Sequence, residues 1–188
     1  MDSIKRSPLV YYGGKYFLSK KILPLIPKHR IYVEVFGGSA ALLFSKIPSE
    51  IEVYNDINSN VVNFFRVLRD PEKMAKLQFL LSLTPYSREE FYNSKDKLKI
   101  CQDDIERAYY FFIVNRMSFS GCNQSWSYAI TKSSRGMSEV ISRYLSAIDL
   151  LPEFCNRLKR VQIDNDDFRK IIKRYDTEDT FFYLDPPY

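Results

Sequence analysis

The sequence holds only three cysteines in 188 residues, Cys101, Cys122 and Cys155, and a single histidine, His29. An odd number of thiols, with no CxxC pair and no histidine at ligand spacing, excludes a disulfide framework and a zinc site and points to a reducing compartment. The cysteines are expected to pack inside the protein, and His29, in the turn PKHR, to sit on its surface. Long apolar runs are missing too. No stretch approaches the roughly 20 residues that span a bilayer, and the start, MDSIKRSPLVYYGGK, is basic without an apolar h-region. The expectation is a cytoplasmic protein with no membrane span and no metal. Internal repeats and low-complexity tracts are likewise absent, so a repeat architecture is excluded.

What is present is ordinary globular material, 45% hydrophobic and 27% charged. Lys and Arg number 28 against 23 Asp and Glu, a net charge of +5 with a pI near 9.0. Long-range attraction then favours an acidic partner without identifying it. Fourteen Tyr, 14 Phe and one Trp mean that rings are interleaved with cations, a composition that suits base stacking as well as a core.

Three segments organise the chain. IYVEVF (31–36) is β-branched and aromatic, and it runs through Gly37 and Gly38 into SAALLFSK, a helical stretch with Ser39 as its expected cap. IEVYND (51–56) is a second strand ending in an acid, so the pattern is a βαβ unit of a doubly wound sheet. From Asn58 onward apolar residues recur at three and four spacings, broken at Asp70-Pro71 and Thr84-Pro85, which predicts inserted helices. The Ser-, Gly- and Asn-rich stretch 117–136 reads as a loop or hairpin, and a further helix is expected over 137–158. RVQI, DDFRKIIKRY and TFFYLD then read as strand, helix and strand.

Chemistry concentrates in three places. In FGGSA (36–40), glycines between a strand and a helix start let a ligand approach the backbone closely. Any strand-to-helix turn can use two glycines, but Asp56 closes the next strand 18 residues after Gly38. That is near the roughly 20 expected of an acid that binds ribose hydroxyls of a nucleoside cofactor. YYGGKY (11–16) reads either as a plain surface turn or as a placement of Lys15 against a cofactor carboxylate. DPPY (185–188) lies at the C-terminal end of a strand, where open α/β sheets bind ligands. Its two prolines remove N–H donors and stiffen the backbone. The carboxylate of Asp185 and the carbonyls of Asp185 and Pro186 are left as acceptors for an amino group, with the Tyr188 ring as a stacking plate.

Taken together, YYGGKY, VEVFGGSA, YNDIN and LDPPY resemble, in that order, the Dam-like, D12-class, phage-type DNA adenine-N6 methyltransferases. The resemblance covers nearly the whole chain. DPPY is specific to amino-group methyltransferases, whereas FGGSA alone is not, and NRMSFSGCNQSWSYA looks like the recognition loop of the phage-type branch. The sequence departs from the family in having Tyr before YGGK, where Trp is more usual, and GGSA in place of a GxG form. The resemblance implies a Rossmann-like α/β fold with an incomplete sheet of about four strands and an inserted, mainly helical target-recognition domain. Residues 1–58 and 159–188 would form the catalytic part and 59–158 the recognition part. S-adenosylmethionine would be the cofactor, contacted by Tyr11, Lys15, Phe36, Gly38, Ser39, Asp56, Asp167, Phe168 and Asp185. Catalysis would fall to Asp185, Pro186 and Tyr188. Contacts to double-stranded DNA would come from Arg116, Ser118, Ser120, Asn123, Gln124, Lys132 and Arg135, since Arg, Asn and Gln read base edges while Lys and Ser more often hold phosphate.

Two other readings stand beside this one. FFYL is apolar on both faces, the pattern of an interior strand, yet the sequence ends four residues later. That predicts a truncated or split enzyme, inactive alone or needing a complementing C-terminal chain. A nicotinamide-dependent oxidoreductase would use the same glycine turn and Asp56, but it leaves DPPY and YYGGK unexplained.

Overall fold

The computed structural model describes residues 7–11, 13–15 and 17–186. The order of elements is α1 (Ser19–Ile22), a 3-10 turn (Leu23–Leu25), β1 (Ile31–Glu34), α2 (Ala41–Ser45), β2 (Ile51–Asn55), α3 (Ser59–Arg69), α4 (Pro71–Ser82), α5 (Arg88–Lys97) and α6 (Asp104–Met117). A second 3-10 turn (Phe119–Gly121) follows, then β3 (Ser133–Ser134), β4 (Met137–Ser138), α7 (Glu139–Asp149), α8 (Leu151–Leu158), β5 (Val161–Asp164), α9 (Phe168–Tyr175) and β6 (Thr180–Tyr183).

Four strands form one parallel sheet in the order β5-β2-β1-β6. The chain steps from β1 to β2 and on to β5, then crosses back to the far side of β1. The reversal opens a crevice at the C-terminal ends of β1 and β6, where doubly wound sheets bind ligands. Both faces of β1 are covered, and all four of its residues are buried. Tyr32, with Tyr54 of β2 and Phe44 of α2, joins a core shared with Phe64 and Phe65 of α3, Phe112 of α6 and Phe154 of α8. Ile31, Val33, Val35 and Val53 face the other way, onto Ile171 of α9.

Local chemistry sets the helix boundaries. The side chains of Asn58, Asp70, Asp103 and Asp167 accept from backbone N–H groups at the starts of α3, α4, α6 and α9, which satisfies donors that a helix start leaves unpaired. The tiny β3–β4 hairpin turns on Arg135 and Gly136, at φ of +53° and +74°, the left-handed pair that a two-residue hairpin loop needs.

Three expectations are corrected. Ser39 does not cap α2; Ala40 occupies the cap position at φ +55°, with no side-chain cap bond. There the chain closes a turn, the Ala40 amide donating to the Gly37 carbonyl at 2.8 Å. The single helix expected over 137–158 is two, because Pro152 cannot donate to the carbonyl of Ile148. The Gln78 side chain donates to that carbonyl instead, at 2.9 Å. Of the cysteines, Cys155 is buried as expected, but Cys122 is exposed on the loop after α6. Among the described residues no helix is long and apolar enough to cross a membrane.

Candidate active site

The turn after β1 is built around a tyrosine. Tyr54 is fully buried, and its hydroxyl donates to the Gly38 carbonyl at 2.7 Å. A Cβ on Gly37 would lie 2.1 Å from the Tyr54 ring, so this position has no room for a side chain. The Gly38 amide donates to Asp56 at 2.8 Å, and the other carboxylate oxygen of Asp56 accepts from the Asn58 amide at 2.8 Å. The glycine turn and the acid after β2 are thus one hydrogen-bonded unit. Gly37→Ala is expected to destabilise the protein by about 2 kcal/mol through overpacking, read as a lower midpoint in urea, and to weaken ligand binding in the cleft.

Asn55, buried at the end of β2, joins three loops. Its Nδ2 donates to the carbonyls of Val35 at 2.9 Å and Asp166 at 3.1 Å, and its Oδ1 accepts from the Asp166 amide at 2.9 Å. This holds Asp167 and Phe168 beside the glycine turn. The rings of Phe36 and Phe168 face each other with centroids 5.5 Å apart. Asp167 caps α9 and pairs with Arg169, whose guanidinium brings its carboxyl down to about 2.

From the other side, Lys15 forms an ion pair with Asp185 at 2.6 Å and donates to the Gly13 carbonyl at 3.2 Å. The Tyr11 ring lies 3.4 Å from the point where a Cβ on Gly38 would sit. Burial, with the charge of Asp56 next, raises the Tyr11 hydroxyl well above its ordinary value, so it stays a neutral donor.

These groups enclose one cleft of about 530 Å³, lined by Tyr11, Lys15, Phe36, Gly38, Ser39, Asp56, Asp167, Phe168, Asp185 and Pro186. Every residue expected to hold a cofactor lines it. The volume falls in the range of roughly 300–1,000 Å³ typical of small-molecule sites. Tyr188 lies outside the described residues.

The sequence reading missed Asn55 and Glu34. Signals were present in both cases: an amide closing an otherwise β-branched and aromatic strand, and an acid set in the apolar run IYVEVF, the pattern of a strand buried on both faces. Glu34 is 2% exposed at the tip of β1, and one of its oxygens accepts from the Tyr32 hydroxyl and from the Leu43 amide, each at 2.8 Å. Burial pushes its carboxyl up to about 7, against the pull of those two hydrogen bonds. A carboxyl raised in the folded state takes up a proton on folding, so it lowers stability progressively as pH rises from its ordinary range through 7. Glu34→Gln is expected to match the unsubstituted protein near pH 4 and to exceed it by up to about 3 kcal/mol at pH 8, as read by urea unfolding at the two pH values.

Of the seven residues expected to touch DNA, six lie at the end of α6 and in the loop after it, and Arg135 in the β3–β4 turn. Ser120, Gln124 and Lys132 are exposed. Arg116 donates to the Arg143 carbonyl at 2.6 Å, and Arg135 is tied to Ser142 and Ser146 of α7. Ser118 points inward: its hydroxyl donates to the Asn115 carbonyl at 3.0 Å and accepts from the Asn123 amide at 3.1 Å. The side-chain oxygen of Asn123 is buried without a hydrogen-bond partner among the described residues.

A parallel sheet with a glycine turn, an acid closing the next strand and Asp185-Pro186 at a neighbouring strand tip defines an α/β protein with a small-molecule-sized cleft at its switch point. The chain belongs to the family of D12 class N6 adenine-specific DNA methyltransferases, whose sequence model matches residues 11–188. It is 30% identical, over 94% of its length, to a type II methyltransferase, M1.LlaDCHI, of Lactococcus lactis subsp. cremoris. It is 29% identical over 62% of its length to the DNA adenine methylase of Salmonella typhi, and 25% identical over 98% to the DNA N-6-adenine-methyltransferase of Escherichia phage P1. The chain spans 63%, 42% and 24% of those three relatives.

Proposed function

We propose that this chain holds S-adenosylmethionine in the cleft and directs methyl transfer to N6 of adenine in double-stranded DNA. The observation that carries the proposal is the convergence of four strand tips on one cleft, with Lys15 already against Asp185. The cofactor's chemistry fits the donors present. Each Asp56 oxygen accepts one backbone N–H and keeps a lone pair for a ribose hydroxyl. Phe36 and Phe168 offer apolar faces to a purine ring, with Asp167 beside them. Lys15 retains a third N–H for a carboxylate, and Tyr11, Gly38 and Ser39 wall the remainder.

When bound, the cofactor supplies an electrophilic methyl group. The chain's part is to prepare the nucleophile. The exocyclic nitrogen of adenine is a poor one, because its lone pair is delocalised into the ring. The Asp185 carboxylate and the Pro186 carbonyl accept its two hydrogens, draw the nitrogen towards sp³ geometry and aim its lone pair. This is preorganised electrostatics with proximity rather than covalent catalysis. A base inside a duplex must be flipped out at a cost of a few kcal/mol, and stacking on Tyr188 offsets part of that.

In this reading residues 1–58 and 159–188 form the catalytic part, and 59–158 the target-recognition part. Arg116, Ser120, Gln124, Lys132 and Arg135 meet DNA directly, while Ser118 and Asn123 shape the loop that presents them. The test is transfer of labelled methyl from S-adenosylmethionine to duplex DNA, with the product identified as N6-methyladenine. Nicotinamide binding in its place would overturn the proposal.

One observation favours a second reading. β6 pairs with β1 alone among the described residues, and Leu184 beyond it is 51% exposed. An apolar edge of this kind is a template for another strand, which in this reading a separate complementing segment supplies. Cofactor binding without methyl transfer, with transfer restored when that segment is supplied, would establish this reading.

A further inference from the structure

Residues 7–11 lie across the molecule as a strap of irregular backbone, without a strand partner among the described residues. At one end the Ser7 hydroxyl donates to the Ser39 carbonyl at 2.5 Å, inside the glycine turn. Leu9 is buried in the main core. Val10 is held at both of its backbone polar atoms by one side chain: its N–H donates to Asn115 Oδ1 at 2.8 Å, and its carbonyl accepts from Asn115 Nδ2 at 2.7 Å. Asn115 is fully buried near the end of α6. The next residue, Tyr11, packs its ring on Gly38.

The loop after α6 rests on the same spot. A Cβ on Gly121, at φ +71°, would lie 2.3 Å from the Val10 carbonyl oxygen, so the loop backbone is pressed against the strap. The Asn115 carbonyl in turn accepts from Ser118, which holds the Asn123 amide. A continuous path therefore runs from the loop, through Asn115 and Val10, to Tyr11, Gly38 and Ser39.

We propose that Asn115 is a positioning residue that couples the recognition loop to the cofactor cleft, by clamping the strap that both of them touch. The proposal rests on the cofactor reading above. A clamp on one residue makes two regions order together: a ligand that fixes the glycine turn fixes Tyr11 and Val10, and hence the loop seated on them. By reciprocity, DNA on the loop tightens the cleft by the same factor. A side chain serving stability alone would hold the strap without transmitting order between its two ends.

The experiment is amide hydrogen exchange of the chain with and without S-adenosylhomocysteine, compared among the unsubstituted protein, Asn115→Leu and Gly121→Ala. The second variant keeps the Asn115 side chain and instead forces the loop away from the Val10 carbonyl, at the cost of a side chain at φ +71°, so it perturbs the same contact from the loop side and keeps the test usable if the first variant folds poorly. In the unsubstituted protein the ligand should slow exchange at Gly38 and Ser39 and also across 118–124. Each variant should keep the protection at Gly38 and Ser39 but lose at least half of the protection in the loop. Loop protection that survives in both variants, or never forms in the unsubstituted protein, would overturn the coupling. Absence of protection at Gly38 and Ser39 would instead overturn the cofactor reading and the coupling with it.

Discussion

Asp185→Ala should slow methyl transfer about a thousandfold or more, the scale on which losing a preorganised electrostatic partner acts in an active site. DNA affinity should stay close to that of the unsubstituted protein, because the variant alters no residue of the loop after α6 that is proposed to meet DNA. The fold should survive as well: Asp185 lies just after β6, and among the described residues its side chain, 28% exposed, is held by Lys15. Asp185→Asn is the sharper variant, since it keeps the shape and one acceptor while removing the charge. Its rate should lie between those of the alanine variant and the unsubstituted protein. Lys15→Gln removes the ammonium that orients the carboxylate, and it should weaken cofactor binding and slow transfer together. Single-turnover rates with cofactor affinities separate these effects. Transfer by Asp185→Ala within tenfold of the unsubstituted rate would remove Asp185 from the chemistry.

Asp185 stood out in the sequence because two prolines follow it directly after an apolar strand, a run with few structural uses. The glycine turn, Asp56 and the Asp167-Phe168 pair were legible for a related reason. Each sits at a boundary between elements, and boundaries leave local marks in glycine, proline and acid placement. The parallel sheet followed from the alternation of strands and helices. Other features were hidden because they depend on distance in sequence. Nothing near Gly37 reveals that the Tyr54 ring fills the space beside it, and nothing near Val10 reveals Asn115, 105 residues away. Local propensity also misled. Ser39 is a favoured cap residue, yet the turn demanded by Tyr54 and Asp56 moves the helix start to Ala41. Ser118, polar and in a polar loop, is buried because the loop folds back on the end of α6.

The largest expected loss of stability comes from a buried cluster that no motif announces. Glu52 of β2 has a fully buried carboxylate that accepts from Arg157 of α8 at 2.5 Å and 2.8 Å and from Lys46 at 2.7 Å. The side chains of Lys46 and Arg157 are 5% and 6% exposed. Burial acts to raise the Glu52 carboxyl, but Arg157 and Lys46 outweigh it and hold the group below its ordinary value. Glu52→Ala would leave two cations confined together without an anion, so a loss of about 4 kcal/mol is expected. At this chain length that lowers the melting temperature by roughly 8–16 °C. Replacing both partners, as in Glu52→Leu with Arg157→Met, should recover most of the loss, since well-packed apolar residues often match a buried ion pair. The pH dependence follows in sign. A depressed carboxyl contributes stability that is present above its ordinary value and is lost as pH falls through the lowered one, so the gap between Glu52→Gln and the unsubstituted protein should narrow in acid. The effect reaches the cleft through Leu43, whose amide donates to Glu34 and whose carbonyl accepts from Arg157 at 3.0 Å. Loss of Glu52 frees Arg157 from β2 and loosens its hold on α2, the helix that follows the glycine turn. Cofactor affinity should therefore fall in Glu52→Ala even at temperatures where the protein remains folded, and calorimetric titration well below the melting transition would show it.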